Sequence, residues 1–317
     1  LTNFRIADPG QTSSALPFAD LIDELSIGFA QGCSGPARHH HTIENDGQPD
    51  ATLLLMPAWS NRGDEKRYVG VKLVTIYPGN SQKGLAGLTS TYVLYDGDNG
   101  QLLAMLDGNV ITARRTAATA ALGARFLSRE DSRALLLLGS GRVASLVPEA
   151  IRAVRPIEKV EVWDIDANSA GRLVGELNDL GFRADVVSDL RAAAGRADIV
   201  SAATLSTEPL LSGSWLRPGT HVDLIGSFTP AMREADDELI RTAELYVDTR
   251  DALHETGDLI QPIEAGVIGP ERILGSLAEL TRGTVAGRSS EDQITLFKAV
   301  GSSLADLVAA RLVYRSL

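Results

Sequence analysis

Cysteine is nearly absent from this chain: Cys33 is the only one in 317 residues. A lone thiol excludes an intramolecular disulfide framework, and with no second cysteine or Cys-His spacing near it there is no zinc ribbon. It points to a reducing, cytoplasmic compartment. Basic residues are also in deficit, with 30 Lys plus Arg against 41 Asp plus Glu and a formal charge of −11. A duplex-binding surface needs clustered cations to displace counterions, and here they are scattered, so no nucleic-acid partner is expected. No apolar run approaches the ~18 residues of a spanning helix, so no membrane partner is expected either. Residues 1–8 show no basic segment followed by an apolar core, and a secretory leader is not expected. Nor is there a P-loop or a G-x-S-x-G elbow: Gly79-Asn80-Ser81-Gln82-Lys83-Gly84 lacks the Lys-Ser/Thr ending. His254-Glu255 has no histidine four residues after His254, which removes the zinc-protease motif.

What is present is the balance of a soluble globular protein, 44% hydrophobic and 22% charged. The length suggests about two domains at roughly 150 residues each. The first third reads as short strands at 51–57, 68–76 and 89–95, and the turn residues Asp96-Gly97-Asp98-Asn99-Gly100 lead into a further strand at 101–106. An antiparallel or mixed sheet follows from this. From Asn109 the composition turns helical, with Ala, Arg and Leu dominating 112–127. A continuous aliphatic run at 134–138 then opens more than a hundred residues of alternation, with strands at 159–163, 183–187, 199–202, 220–225 and 244–247 and helices at 169–180 and 232–242. Such alternation predicts an α/β, doubly wound parallel sheet. Near the end, Leu296, Val300, Leu304, Leu307, Val308 and Leu312 recur at helical spacing, which predicts an amphipathic helix longer than five turns.

The sequence from Leu135 to Ala144 gives a buried-type strand followed by G-x-G-x-x-A, with Gly139, Ser140, Gly141, Arg142 and Val143 in the loop. The first glycine permits a tight turn, the second lets a pyrophosphate approach the backbone, and Ala144 lets helix and strand pack closely. The N–H groups of the following helix start would face the phosphates. Asp164 closes the next strand, and an acid there can accept from a ribose hydroxyl and repel a 2′-phosphate, which favours NAD over NADP. Arg142 argues the other way, since it could reach such a phosphate and leaves NADP open. The three histidines His39, His40 and His41 read as a polar strand or loop, because adjacent strand residues point to opposite faces.

Several of these features together resemble the ornithine cyclodeaminase/mu-crystallin family. They are Val69-Gly70-Val71-Lys72, Pro78-Gly79-Asn80, the hairpin with Asp96 and Gly100, the helix start from Ile111 to Thr119, the Gly139-Ser140-Gly141 loop and the strand from His221 to Gly226. The resemblance covers nearly the whole chain. It implies a Rossmann-type doubly wound sheet at 117–294. It implies also an N-terminal α+β substrate and dimerisation domain at 1–116, completed by a C-terminal helix at 295–317, in a homodimer. It implies further that Lys72 and Arg115 hold a substrate carboxylate, with Arg38 as a further basic contact. Thr116, Thr204, Asp223, Ile225 and Gly226 are the remaining candidates on the cofactor side, Asp223 reading equally as a structural polar group.

One departure from the family pattern narrows the chemistry. Cyclodeaminases of the family carry an aspartate in a Gly-Gly-Asp-x-Pro stretch after the strand, and here Gly226-Ser227-Phe228-Thr229-Pro230 puts Phe228 in its place. Phenylalanine cannot handle a proton, which argues against cyclodeamination. The expected activity is NAD(P)H-dependent reduction of a small anionic imino acid, Δ1-pyrroline-2-carboxylate or Δ1-piperideine-2-carboxylate, to L-proline or L-pipecolate. Ornithine cyclodeaminase, an alanine dehydrogenase and a non-enzymatic crystallin-like binding protein remain the alternatives. The apolar ring of Phe228 is expected to help exclude water from the site.

Overall fold

The computed structural model describes residues 4–317, so Leu1, Thr2 and Asn3 of the expected first domain lie outside the described residues. The chain divides into two compact units, one running up to Arg115 and resuming at Ser302–Leu317, the other Thr116–Gly301. The division falls inside the helix Gly108–Leu127.

The first unit is built on a six-stranded sheet. Its strands are β1 (Arg5–Ala7), β2 (His39–Ile43), β3 (Ala51–Trp59), β4 (Tyr68–Ile76), β5 (Leu88–Asp96) and β6 (Leu102–Asp107), in the order β1-β6-β5-β4-β3-β2. The sheet is mixed: β1 runs parallel to β6 and every other pair is antiparallel. Strand periodicity sorts the side chains, so that Tyr68, Gly70, Lys72 and Val74 of β4 are buried while Val69, Val71 and Thr75 are half-buried and Leu73 exposed. The helices Phe18–Gln31 and Ser303–Ser316 pack on each other, and the second of them also lies on β4 and β3. The three histidines lie on β2 with exposed side chains.

The second unit carries an eight-stranded, wholly parallel sheet. In chain order these are β7 (Ala134–Leu138), β8 (Lys159–Trp163), β9 (Arg183–Val186), β10 (Ile199–Ala202), β11 (His221–Leu224), β12 (Glu244–Val247), β13 (Ile273–Ser276) and β14 (Thr295–Lys298). Their spatial order is β13-β12-β14-β11-β10-β7-β8-β9. The order reverses between β7 and β10, which is the switch point where doubly wound sheets take their ligands. Leu136, Leu138, Val200, Val222 and Leu224, all fully buried, contribute to its core.

Two elements differ from expectation. The predicted long C-terminal helix does not begin at Leu296: residues Thr295–Lys298 form β14 between β11 and β12, and the helix is Ser303–Ser316, 14 residues capped by Ser302. An apolar run fits a buried strand and a buried helix equally well, and pairing on both sides decides for the strand. The segment 295–301 falls in the second unit, whereas the predicted boundary stood at 295. The predicted helix over 232–242 is likewise confined to Asp237–Thr242. Before it, the Glu234 and Ala235 N–H groups donate to Asp258 Oδ1, and Ala235 bridges Leu211 in extended conformation. A side-chain acceptor has replaced the helical carbonyl there.

Candidate active site

In the first unit the inward face of β4 brings Lys72 against the C-terminal helix. Its Nζ lies 2.7 Å from Asp306 Oδ2, and Arg115 Nε donates to Asp306 Oδ1 at 2.8 Å. All three are buried, Lys72 to 3%, Arg115 to 5% and Asp306 to 0% exposure. Burial pushes the Lys72 ammonium down to about 8; Asp306 opposes the fall, and the charges of Arg115 and Arg38 add to it. Burial would raise the Asp306 carboxyl, but Arg115 and Lys72 outweigh it and hold the group below the ordinary range. Arg38, half-buried just before β2, is thus close enough to bear on Lys72. Two cations, Lys72 and Arg115, meet one buried carboxylate, a surplus of positive charge that fits a small anion. Tyr92, directly opposite Lys72 on β5, is fully buried, and its hydroxyl has no partner among the described residues.

In the second unit the loop after β7 has the shape the motif demands. Gly139 takes φ +100°, and a Cβ there would stand 2.7 Å from the Ala203 carbonyl oxygen, so only glycine fits. A Cβ on Gly141 would meet nothing within 4 Å, so no part of the chain fills the space where a phosphate would approach. Ser140 Oγ donates to Asp164 Oδ2 at 2.6 Å, and the Asp166 N–H donates to Oδ1 at 2.9 Å. This arrangement holds the carboxylate at the end of β8 in place. Arg142 is exposed and Val143 half-buried, leading into a tight turn at Ala144–Leu146 and the short helix Val147–Arg152. Loop, carboxylate and helix start together fit a dinucleotide.

A sequence model of the ornithine cyclodeaminase/mu-crystallin family matches residues 9–317. The chain belongs to this family. Among similar proteins, the Δ1-pyrroline-2-carboxylate reductase of Paracoccus denitrificans is 42% identical over 85% of this chain and 84% of its own length. The ketimine reductase mu-crystallin of Rattus norvegicus is 36% identical over 98% of this chain and 95% of its own. The solved structure of Thermococcus litoralis Δ1-pyrroline-2-carboxylate reductase in complex with NADH and L-proline superposes with a TM-score of 0.90 at 31% identity, covering 98% of this chain and 97% of that one.

The other cofactor-side candidates of this family member fall into two groups. Thr116 is half-buried on its helix and Ile225 is 8% exposed at the end of β11. Thr204 and Gly226 belong to a buried network. Thr204 donates its N–H and its hydroxyl to Glu234 Oε1 at 2.7 and 2.8 Å, and the Gly226 and Ser227 N–H groups donate to Oε2 at 2.8 and 3.3 Å. Beneath it, Asp258 Oδ1 accepts from the Glu234 N–H at 2.7 Å, and Lys298 Nζ donates to Asp258 Oδ2 at 3.0 Å. Burial pushes the Glu234 carboxyl up, Lys298 pulls it back and Asp258 adds to the rise. The N–H groups of Thr204 and Gly226 are therefore committed to Glu234. A Cβ at Gly226 would come within 2.0 Å of the Thr204 carbonyl oxygen, which makes this glycine a packing requirement.

Asp223 keeps one oxygen, Oδ2, buried without a partner among the described residues. It is fully buried, with Oδ1 3.1 Å from His221 Nε2, while His221 Nδ1 lies 2.9 Å from Thr295 Oγ1. Burial raises its carboxyl and His221 partly offsets the rise. Phe228 is 48% exposed in the loop after β11.

Sequence reasoning missed Asp306, Glu234, Asp258 and Lys298. Two of them left a signal of the kind that marked Lys72: Asp306 stands among the buried residues of an apolar helix face, and Lys298 interrupts the buried run of β14.

Proposed function

We propose that this family member reduces a cyclic ketimine carboxylate, Δ1-pyrroline-2-carboxylate or its six-membered homologue, to the corresponding L-imino acid with NADH. The observation that carries the reading is the convergence of Lys72 and Arg115 on buried Asp306, with Arg38 near. A substrate carboxylate balances that surplus charge, Arg by directed N–H donors and Lys as a point charge. Burial strengthens the attraction by excluding water. The names of the relatives support the same substrate class, and the Thermococcus litoralis complex with NADH and L-proline supports the same pair of ligands.

Gly139, Ser140, Gly141 and Asp164 would hold the dinucleotide, which when bound supplies the hydride for the C=N carbon. Lys72, brought down to about 8, keeps its proton at neutral pH and so keeps the clamp cationic. With Phe228 in place of the cyclodeaminase acid, no carboxylate at that position handles the proton that deamination requires. Hydride delivery to a preformed imine needs orientation and a carboxylate hold, and Lys72 and Arg115 with Arg38 would supply the hold. The test is to follow NADH and NADPH oxidation with each cyclic imine while measuring ammonia release from L-ornithine with NAD. Imine reduction without ammonia release is expected; ammonia release without imine reduction would overturn the assignment.

The first unit would serve for substrate binding and dimerisation, and the apolar outer face of its sheet supports a homodimer. Pro57, Val71, Val93, Met105 and Ile6 stand side by side across five strands, and Ile6 and Met105 are 68% and 36% exposed. A monomer rarely exposes so continuous an apolar row. The lone thiol fits a cytoplasmic location.

A further inference from the structure

The crest of the second sheet holds a charge that the proposed reaction does not yet use. Three loops meet there, two of them tied by a single carboxylate. Gly139 abuts the Ala203 carbonyl, Thr204 follows it, and Gly226 packs on Thr204. Glu234 ties the last two together through Thr204 N, Thr204 Oγ1, Gly226 N and Ser227 N. Glu234, Asp258 and Lys298 are each fully buried.

Burial and the neighbouring Asp258 raise the Glu234 carboxyl, while Lys298 and the donors of Thr204, Gly226 and Ser227 that face its oxygens favour the ionised form. Asp258 likewise accepts, from the N–H groups of Glu234 and Ala235 and from Lys298. Two carboxylates against one ammonium leave one uncompensated negative charge. It lies at the carboxyl ends of β10 and β11, on the far side of the switch point from the Gly139 loop. In a doubly wound sheet that half takes the second mononucleotide of a dinucleotide, the nicotinamide half.

A nicotinamide ring is neutral when reduced and gains a positive charge when it gives up a hydride to the imine carbon; both electrons of the new C–H bond leave with the hydride. We infer that the Glu234–Asp258–Lys298 network is an electrostatic device that favours the oxidised, cationic ring over the reduced one, and so draws the hydride toward the substrate. Glu234 and Asp258 act here as positioning residues, through the loops they pin and the field they set. The inference rests on the dinucleotide reading of this sheet and is independent of which imine is reduced. A protein that binds both nucleotides but reduces no ketimine would refute the substrate assignment alone.

The experiment measures binding of NADH and of NAD+ separately, by nicotinamide fluorescence and by calorimetry, in the wild type, Glu234→Gln and Asp258→Asn. Each variant removes the uncompensated charge. In each, NAD+ affinity is expected to fall relative to NADH by on the order of 5- to 20-fold, as for a charge acting over a nanometre at an effective dielectric near 20. A purely structural role would weaken both nucleotides alike. An unchanged NAD+ to NADH affinity ratio overturns the inference, whether or not the affinities themselves fall. Should Glu234→Gln not fold, Asp258→Asn, which keeps an oxygen for the two backbone donors, decides the matter alone.

Discussion

Replacing Asp306 with asparagine separates the two functions of the buried clamp. In the wild type the carboxylate neutralises part of the charge of Lys72 and Arg115 at 2.7 and 2.8 Å, away from solvent. Removing one partner of such a group leaves cations buried without an anion, which costs about 3 to 5 kcal/mol. For a domain of this size that is a fall in melting temperature of roughly 6 to 20 °C. Lys72 would also lose the partner that props up its ammonium, and would move further below about 8. A ligand carboxylate can supply the missing anion. Saturating L-proline should therefore raise the melting temperature of Asp306→Asn by more than it raises that of the wild type. The assay is a pair of thermal scans with and without L-proline. A variant that melts within 2 °C of the wild type, or that gains no more from L-proline, would refute the picture of one anion balancing the clamp.

Three further outcomes are expected. Because the Lys72 ammonium is the charged form below about 8, kcat/KM for the cyclic imine should decline as pH rises through that value. In Lys72→Arg this alkaline limb should disappear, and a limb that persists unchanged would assign it to the substrate. Asp164→Ser should improve NADPH use relative to NADH by removing the charge that repels a 2′-phosphate. A wild type that already prefers NADPH and a variant that behaves identically would dismiss the ribose role. Val93→Glu places a charge in the middle of the apolar row on the first sheet and should convert a dimer to monomers, read by light scattering at matched concentrations.

Local features of this chain were legible because they depend on contiguous residues. The stretch from Leu135 to Ala144 specifies a buried strand, a turn that only glycine permits and a close helix start, and it folds that way. Lys72 announced itself by interrupting the inward face of a strand whose alternation is plain in the sequence. Strands β3 to β12, their composition bounded by turn residues, were legible on the same ground, whereas β1 and β13 were not anticipated and β14 read as helix.

What the sequence could not determine are the partners that meet across the chain. Asp306 reaches Arg115 over a separation of 191 residues, and its value as a counter-ion exists only once the last helix lies on β4. The identity of 295–298 as a strand depends on β11 and β12 standing on either side, since an apolar run satisfies a helix equally well. Glu234 and Asp258 read as ordinary acids among many; only the tertiary structure buries them and turns four N–H and O–H donors onto one carboxylate. Propensity and periodicity act over a few residues, whereas burial and charge pairing are set by whichever segments the fold brings into contact.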